Sequence, residues 1–214
     1  MPGWYPGPPL QDVESFVNRE VRVLKLHNRL VQEDYLDKRW KEATEESVDE
    51  VIFLSMHVAS SNRPALIIHP IGTPHIFEGE ALLTGGKPGW PAPPNPRIGP
   101  WLRLLRTITV TLEATHHGPL TNSPTLFVEI GSTAEYWIRQ DSAQAIAGDF
   151  YIILKLVWQG LGLGGGNAND GRNKILLGIG GGHYEPRHMN IVVKDGVWVG
   201  HLLSGYSLLM ENPG

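Results

Sequence analysis

Val51-Ile-Phe-Leu-Ser-Met56 is followed at once by His57. The run is apolar without a polar alternation, so it predicts a strand covered on both faces. Ala65-Leu-Ile-Ile68 is a second such run and ends at His69. Thr107 to Thr115 is rich in β-branched residues and reads as a third strand, ending at His116 and His117. Thr125 to Ile130 is a fourth, with Glu129 near its end and Gly131-Ser132 beyond it. Lys174 to Ile179 runs through Gly180, Gly181 and Gly182 into His183, and Val197 to Leu203 carries His201. Apolar strands interleaved with helices and long loops predict an α/β layered sheet, largely parallel.

The segments between these strands are read more coarsely. Met1 to Pro9 is Pro-rich and reads as a tail, with no basic start or apolar core of a signal peptide. Asp12 to Arg19 suggests a short helix and Val21 to Leu26 a strand. Glu33 to Glu46 is charged and suits an exposed helix or loop. A loop rich in Gly and Pro spans Ile71 to Pro100, with a short helix expected over Trp101 to Arg106. Ala134 to Trp158 has apolar positions near i, i+3, i+4 spacing and predicts one long helix. The expected organisation is a flexible tail over residues 1–20 and a single domain over 21–214.

Composition narrows the chemistry. The 214 residues contain no Cys, which removes disulfides, thiolate nucleophiles and Cys-type zinc sites together. Any metal must then be held by His, Asp or Glu. Apolar residues make up 41%, enough for a packed core, and no run is long enough to span a bilayer. A soluble, cytoplasmic protein is therefore expected. The net charge of −4 argues against a broad basic face for nucleic acid but allows a local contact.

The nine His are the anomaly. One alone is ordinarily a hydrogen-bonded or exposed residue. As a group they are not scattered, because only His27, His75 and His188 lie away from predicted strand ends. In open α/β sheets ligands bind beyond the carboxyl ends of the strands. Parallel strands would bring five or six of His57, His69, His116, His117, His183, His201 and Glu129 to one rim. Adjacent strand residues such as His116 and His117 face opposite sides unless the chain has already turned. Imidazoles suit zinc and similar ions. There is no HExxH, however, and spacing alone does not decide between a metal and a neutral His base.

Other motifs are less informative. Gly160 to Gly165 matches GxGxxG but follows a helical pattern, the reverse of the dinucleotide-binding context. The Gly180 to Gly182 amides could hold an oxyanion or simply make a tight turn. GxxxxGK[ST] and GxSxG are absent. Arg97, Arg103 and Arg106 flank the Pro-rich loop, where they could meet phosphate, although solvated roles suit them better.

Several ordered motifs carry a family resemblance. They are Glu113-Ala-Thr-His-His-Gly-Pro119, Phe127-Val-Glu-Ile-Gly-Ser132, Leu177-Gly-Ile-Gly-Gly-Gly-His-Tyr184 with Pro186, Gly200-His201 and Tyr206. Asp34-Tyr-Leu-Asp37 and the stretch from Ser55 through His57 to His69 agree. Together they resemble the archaeal and plant type of D-aminoacyl-tRNA deacylase, over roughly Val21 to Tyr206. Members usually carry a further strand and helix at each end, so the resemblance implies a chain shortened at both.

What the resemblance implies is a three-layer α/β/α sandwich with a mixed, mostly parallel sheet, similar to phosphorylase and peptidyl-tRNA hydrolase folds. It implies hydrolysis of the ester between a D-amino acid and the 3′ end of tRNA, with zinc as cofactor. The residues then expected are His116, Glu129 and His183 in catalysis, with Glu113 as a second carboxylate. Gly180, Gly181, Gly182, Ser132 and Tyr184 are expected against the substrate, and His57, His117 and His201 at the metal. Two rivals stand beside this reading. One is another metal-dependent hydrolase; the other is a truncated relative that binds tRNA or a partner without turnover.

Overall fold

A computed structural model describes residues 3–59, 62, 64–74, 85–105, 109–143, 174–194 and 197–208. The expected glycine-rich loop at 160–171, with its GxGxxG motif, lies outside these residues. So do His75, Arg106 and the second half of the expected long helix.

The central sheet has four strands. They are β4 (Val51–Met56), β5 (Ala65–Pro70), β8 (Val110–Leu112) and β9 (Thr125–Gly131), in the order β4-β9-β5-β8. The pairs β4–β9 and β5–β8 are parallel, and β5 runs antiparallel to β9. The sheet is therefore mixed, and the carboxyl ends of β5 and β8 lie opposite those of β4 and β9. A single rim of strand ends, as expected from the sequence, does not form. The functional side chains meet instead across one face of the sheet.

Register defines that face. Ser55, Glu129 and Ile67 are level, as are Phe127 and His69. Side chains alternate along a strand, so Phe53, Ser55, Phe127, Glu129, Ile67 and His69 project to the same side. Leu66, Ile68, Val110, Leu112, Leu126 and Val128 project to the other. There they pack against Ile98, Trp101, Leu102 and Leu105 of α2 (Ile98–Leu105), and against Val192 of α4 (Pro186–Val192). On the site's side, Phe53 and Phe127 pack with Leu36 and Trp40 of α1 (Leu36–Thr44). β4 is the edge strand of this sheet, and the cover on both faces expected from its apolar run is not found: Phe53 is buried and Ile52 partly packed, but Leu54 and Met56 are exposed. A separate parallel pair, β10 (Lys174–Ile179) and β11 (Val197–Leu203), adds Val199 and Leu202 to the first core.

Several local expectations change. Asp12 to Arg19 is not helical. β1 (Tyr5–Pro6), β2 (Ser15–Asn18) and β3 (Val21–Leu24) form an antiparallel ribbon, so part of residues 1–20 is paired. Asn18 faces Val21 across a two-residue turn, and Arg19 takes φ +51 there, as short hairpins require. The charged stretch from Glu33 is helical as α1, but Leu36, Asp37 and Trp40 line a buried side. The Gly- and Pro-rich loop contains β6 (Gly72–Thr73) paired with β7 (Trp90–Pro91). The long helix stops early: α3 is only Ala134–Trp137, and helix resumes at 140–143. The Trp137 indole donates to the His57 carbonyl at 2.9 Å, which ties the segment to the end of β4. Among the described residues, no helix is long and apolar enough to cross a membrane.

Candidate functional site

Glu113 lies at the centre. It follows β8, and its amide donates to the Ile68 carbonyl at 3.2 Å, which sets it beside β5. Its side chain is fully buried, and neither carboxylate oxygen has a hydrogen-bond donor within the normal limit. His57 Nε2 stands 3.3 Å from one oxygen, while His183 Nε2 stands 3.3 Å and His116 Nε2 3.9 Å from the other. An acceptor-only group buried without donors is unfavourable unless positive charge shares the space.

A second group adjoins it. His69, His116 and His117 place ring nitrogens within 4.8 Å of one another. Each has its Nδ1 against a backbone carbonyl: His69 on Pro70 at 3.0 Å, His116 on Ala114 at 2.7 Å, and His117 on Gly118 at 2.5 Å. A carbonyl only accepts, so each Nδ1–H donates. In the neutral ring that leaves a bare lone pair at Nε2. Backbone carbonyls behind the rings and free Nε2 atoms in front are the arrangement of metal-ligating His. Glu129 Oε2 lies 3.8 Å from His69 Nε2, and the Ser55 hydroxyl donates to the other Glu129 oxygen. Phe127 lies parallel to His69, with centroids 5.3 Å apart, and closes the group from below.

The chain turns before His117, so His116 and His117 do not face opposite sides. His117 takes φ +47, which an L-residue adopts only at some cost. Their ring centroids are 4.3 Å apart as a result. The turn is braced by the Asp34-Tyr-Leu-Asp37 motif. Asp34 accepts from the Leu120 amide at 2.7 Å. Asp37 accepts from the Asn122 amide at 2.9 Å, the Ser123 amide at 2.8 Å and the Ser123 hydroxyl at 3.0 Å.

Protonation is divided across the site. Burial, then the neighbouring imidazoles of His69, His117 and His183, push His116 well below the ordinary His range. Burial and His69 push His117 down to about 4. The Glu113 carboxylate beside it raises His183 against a smaller opposing effect of burial. For Glu129, burial alone would raise the carboxyl, but His69 and Ser55 outweigh it and the net shift is downward.

The remaining expected residues are distributed as follows. His201 does not join either group: its Nε2 meets the Ala92 carbonyl at 3.0 Å and its Nδ1 the Thr115 hydroxyl at 3.1 Å. Both nitrogens are occupied, which leaves no lone pair for a metal. Ser132 is buried just past β9. Gly131 matters there, because an added Cβ would come within 3.2 Å of His57 Nδ1. The Gly180 amide is committed to the Leu203 carbonyl. Gly180 and Gly181 take φ of +90 and +91, and a Cβ on Gly181 would strike Glu185 at 2.7 Å. The Tyr184 ring meets His183 edge-on at 5.6 Å, and the Tyr206 hydroxyl lies 2.8 Å from His183 Nδ1. Arg97 is buried and paired with Glu50, while Arg103 donates to the Val192 carbonyl. The sequence reading ranked Glu113 second and gave His69 no role. The register of β5 against β9 is what moves them inward.

A family model described as D-aminoacyl-tRNA deacylase matches residues 44–212. The chain belongs to the D-aminoacyl-tRNA deacylase family. A D-aminoacyl-tRNA deacylase of Arabidopsis thaliana is 57% identical over the whole of this chain and 70% of its own length. One from Pyrococcus furiosus is 30% identical over 90% of the chain and 67% of its own length. A solved structure of a conserved protein of unknown function shares the fold, with a TM-score of 0.75 at 24% identity. That match covers 95% of this chain and 68% of the other. D-aminoacyl-tRNA deacylases are hydrolases, and the site described above lies within the matched residues apart from the bracing Asp34 and Asp37.

Proposed function

We propose that this chain hydrolyses the ester joining a D-amino acid to the 3′-terminal ribose of tRNA, with residues 21–214 as the catalytic unit. The observation that carries the proposal is the buried Glu113 carboxylate with His57, His116 and His183 around it. Glu113 takes the proton of the attacking water. His183, held towards its protonated form by Glu113 and one-third exposed at the mouth, gives a proton to the departing ribose oxygen. The 3.3 Å contact then returns the proton from Glu113 to His183, which balances the cycle. The pairing separates roles by environment: burial favours the neutral form of His116 and His117, and Glu113 favours the charged form of His183.

His69, His116 and His117 fit a divalent cation, because three Nε2 lone pairs converge there beside the Glu113 and Glu129 carboxylates. Zinc suits such a set of nitrogen and oxygen donors. When bound, the ion polarises an ester carbonyl and acidifies water. Glu129, with its carboxyl held below the usual range, adds negative charge beside His69, whose ring is oriented by the Pro70 carbonyl. The free amides of the Gly181–Gly182 turn support the developing oxyanion, with Ser132 and Tyr184 shaping the adjoining pocket. We further infer a three-layer α/β/α arrangement and a cytoplasmic location, both from the family.

The test is deacylation of D-Tyr-tRNA and L-Tyr-tRNA by zinc-loaded protein. Selective release of D-tyrosine, abolished in Glu113→Gln, is expected. Folded, zinc-loaded protein that leaves both esters intact would point to a relative that binds RNA without turnover.

A further inference from the structure

We infer that Lys87 and Trp90 form a contact platform for the single-stranded 3′ end of an RNA substrate. The inference rests on the reading of the site as an aminoacyl-ester hydrolase, since such a site must hold the nucleotides next to the ester.

Trp90 is 55% exposed, and Lys87 Nζ lies 4.3 Å from the centre of its ring. Isolated exposed aromatics are common and need no explanation. This one sits on a rigid turn. The Trp90 amide donates to the Lys87 carbonyl at 3.0 Å and the Gly89 amide to the Thr73 carbonyl at 2.7 Å, while the Thr73 hydroxyl holds the Gly85 carbonyl at 3.1 Å. The turn is also locked to the site. Trp90 pairs with Thr73 and Pro91 with Gly72, and the Gly72 amide donates to the His117 carbonyl at 2.9 Å. Gly118 packs so closely on this loop that a Cβ there would come within 2.3 Å of the Gly86 nitrogen. One strand therefore separates the platform from the His cluster.

The chemistry matches single-stranded nucleic acid. Lys87 lies over the indole, and more than half of Trp90 remains exposed for a base to stack on. A fixed ammonium beside a stacking ring serves the adjoining phosphate. The two described arginines that flank the Pro-rich loop do not compete for this role. Arg97 is buried against Glu50 and Arg103 is bonded to backbone carbonyls. In a chain of net charge −4, contact with RNA falls to local cations of this kind.

The probe is an uncharged RNA hairpin ending in a single-stranded CCA, titrated into the full chain with fluorescence anisotropy as the readout. Trp90→Ala is expected to weaken binding about tenfold or more, and Trp90→Phe to retain most of it, as stacking requires. Lys87→Gln is expected to reduce the slope of log affinity against log salt by about 0.7, and Lys87→Arg to keep it. Affinity unchanged in Trp90→Ala overturns the inference. So does equal loss in Trp90→Ala and Trp90→Phe, or wild-type protein with no measurable affinity. These outcomes are separate from those of the deacylation test, because the probe carries no aminoacyl ester.

Discussion

Nε2 of His183 lies 3.3 Å from Oε2 of Glu113, so a ring open to solvent on one side touches a carboxylate with no exposure at all. This contact links the mouth of the site to its floor. It also accounts for the opposite shifts of neighbouring histidines: His183 has a carboxylate partner, whereas His116 and His117 have burial and other imidazoles. Behind His183, the Tyr206 hydroxyl at 2.8 Å fixes the ring from its other nitrogen.

Glu113→Gln keeps the volume of the side chain and removes its charge and its proton-accepting capacity. Deacylation of D-Tyr-tRNA is expected to fall by about 10²–10⁴-fold, the usual range for loss of a positioned acid–base group. Circular dichroism should remain that of the wild type. A loss of less than threefold would remove Glu113 from the chemistry.

How much of this was legible in the sequence depended on scale. Val51–Met56, Lys174–Ile179 and Val197–Leu203 occupy the spans that their apolar runs predict, but cover on both sides does not follow from such a run: Leu54 and Met56 of the first and Ile175, Leu177 and Ile179 of the second are exposed. The Asp12–Arg19 helix failed because pairing with Tyr5–Pro6 and Val21–Leu24 overrides a weak local preference. Strand ends single out His57, His69, His116, His117 and His183, which the structure brings together, and His201, which it does not, since strand direction is not written in any one strand. Only the antiparallel pairing of β5 with β9 sets His69 level with Phe127 in mid-sheet, within reach of Glu129.

The zinc assignment predicts a stability change independent of turnover. Binding to the native state alone stabilises it by about 2.7 kcal/mol at a free ion concentration 100 times Kd. For a chain of this size that is a rise in Tm of about 5–10 °C. Differential scanning fluorimetry of chelator-treated protein should show this rise on adding zinc, and His69→Ala should lose most of it. Equal rises in wild type and His69→Ala would place the ion elsewhere.

The metal-free protein should weaken in mild acid. His117 is held down to about 4 in the folded state against an ordinary 6.5, so between these values the unfolded chain binds the proton that the native chain refuses. Stability is fully present above about pH 6.5 and is lost as pH falls towards 4. A shift of this size corresponds to about 3 kcal/mol, and His116 acts in the same direction. Urea midpoints of chelator-treated protein at pH 7 and pH 4.5 measure the loss. His117→Gln should show a shallower dependence, and a midpoint independent of pH would contradict the buried neutral state.

Asp37 should matter although it touches no substrate. Its Oδ2 accepts from two backbone amides and one hydroxyl of Asn122 and Ser123, and it is buried on α1. Asp37→Ala leaves those amides without an acceptor, at a cost of about 3 kcal/mol. The same residues tether the turn that carries His117 at φ +47, a geometry that does not persist without support. Asp37→Ala is therefore expected to lower the urea midpoint and, in the fraction that stays folded, to reduce the zinc-induced rise in Tm. Asp37→Asn keeps an acceptor oxygen and should recover part of both. If Asp37→Ala lowered stability yet left the full zinc response, α1 would serve the fold alone, and the His116–His117 turn would be held by its own packing on His69 and Phe127.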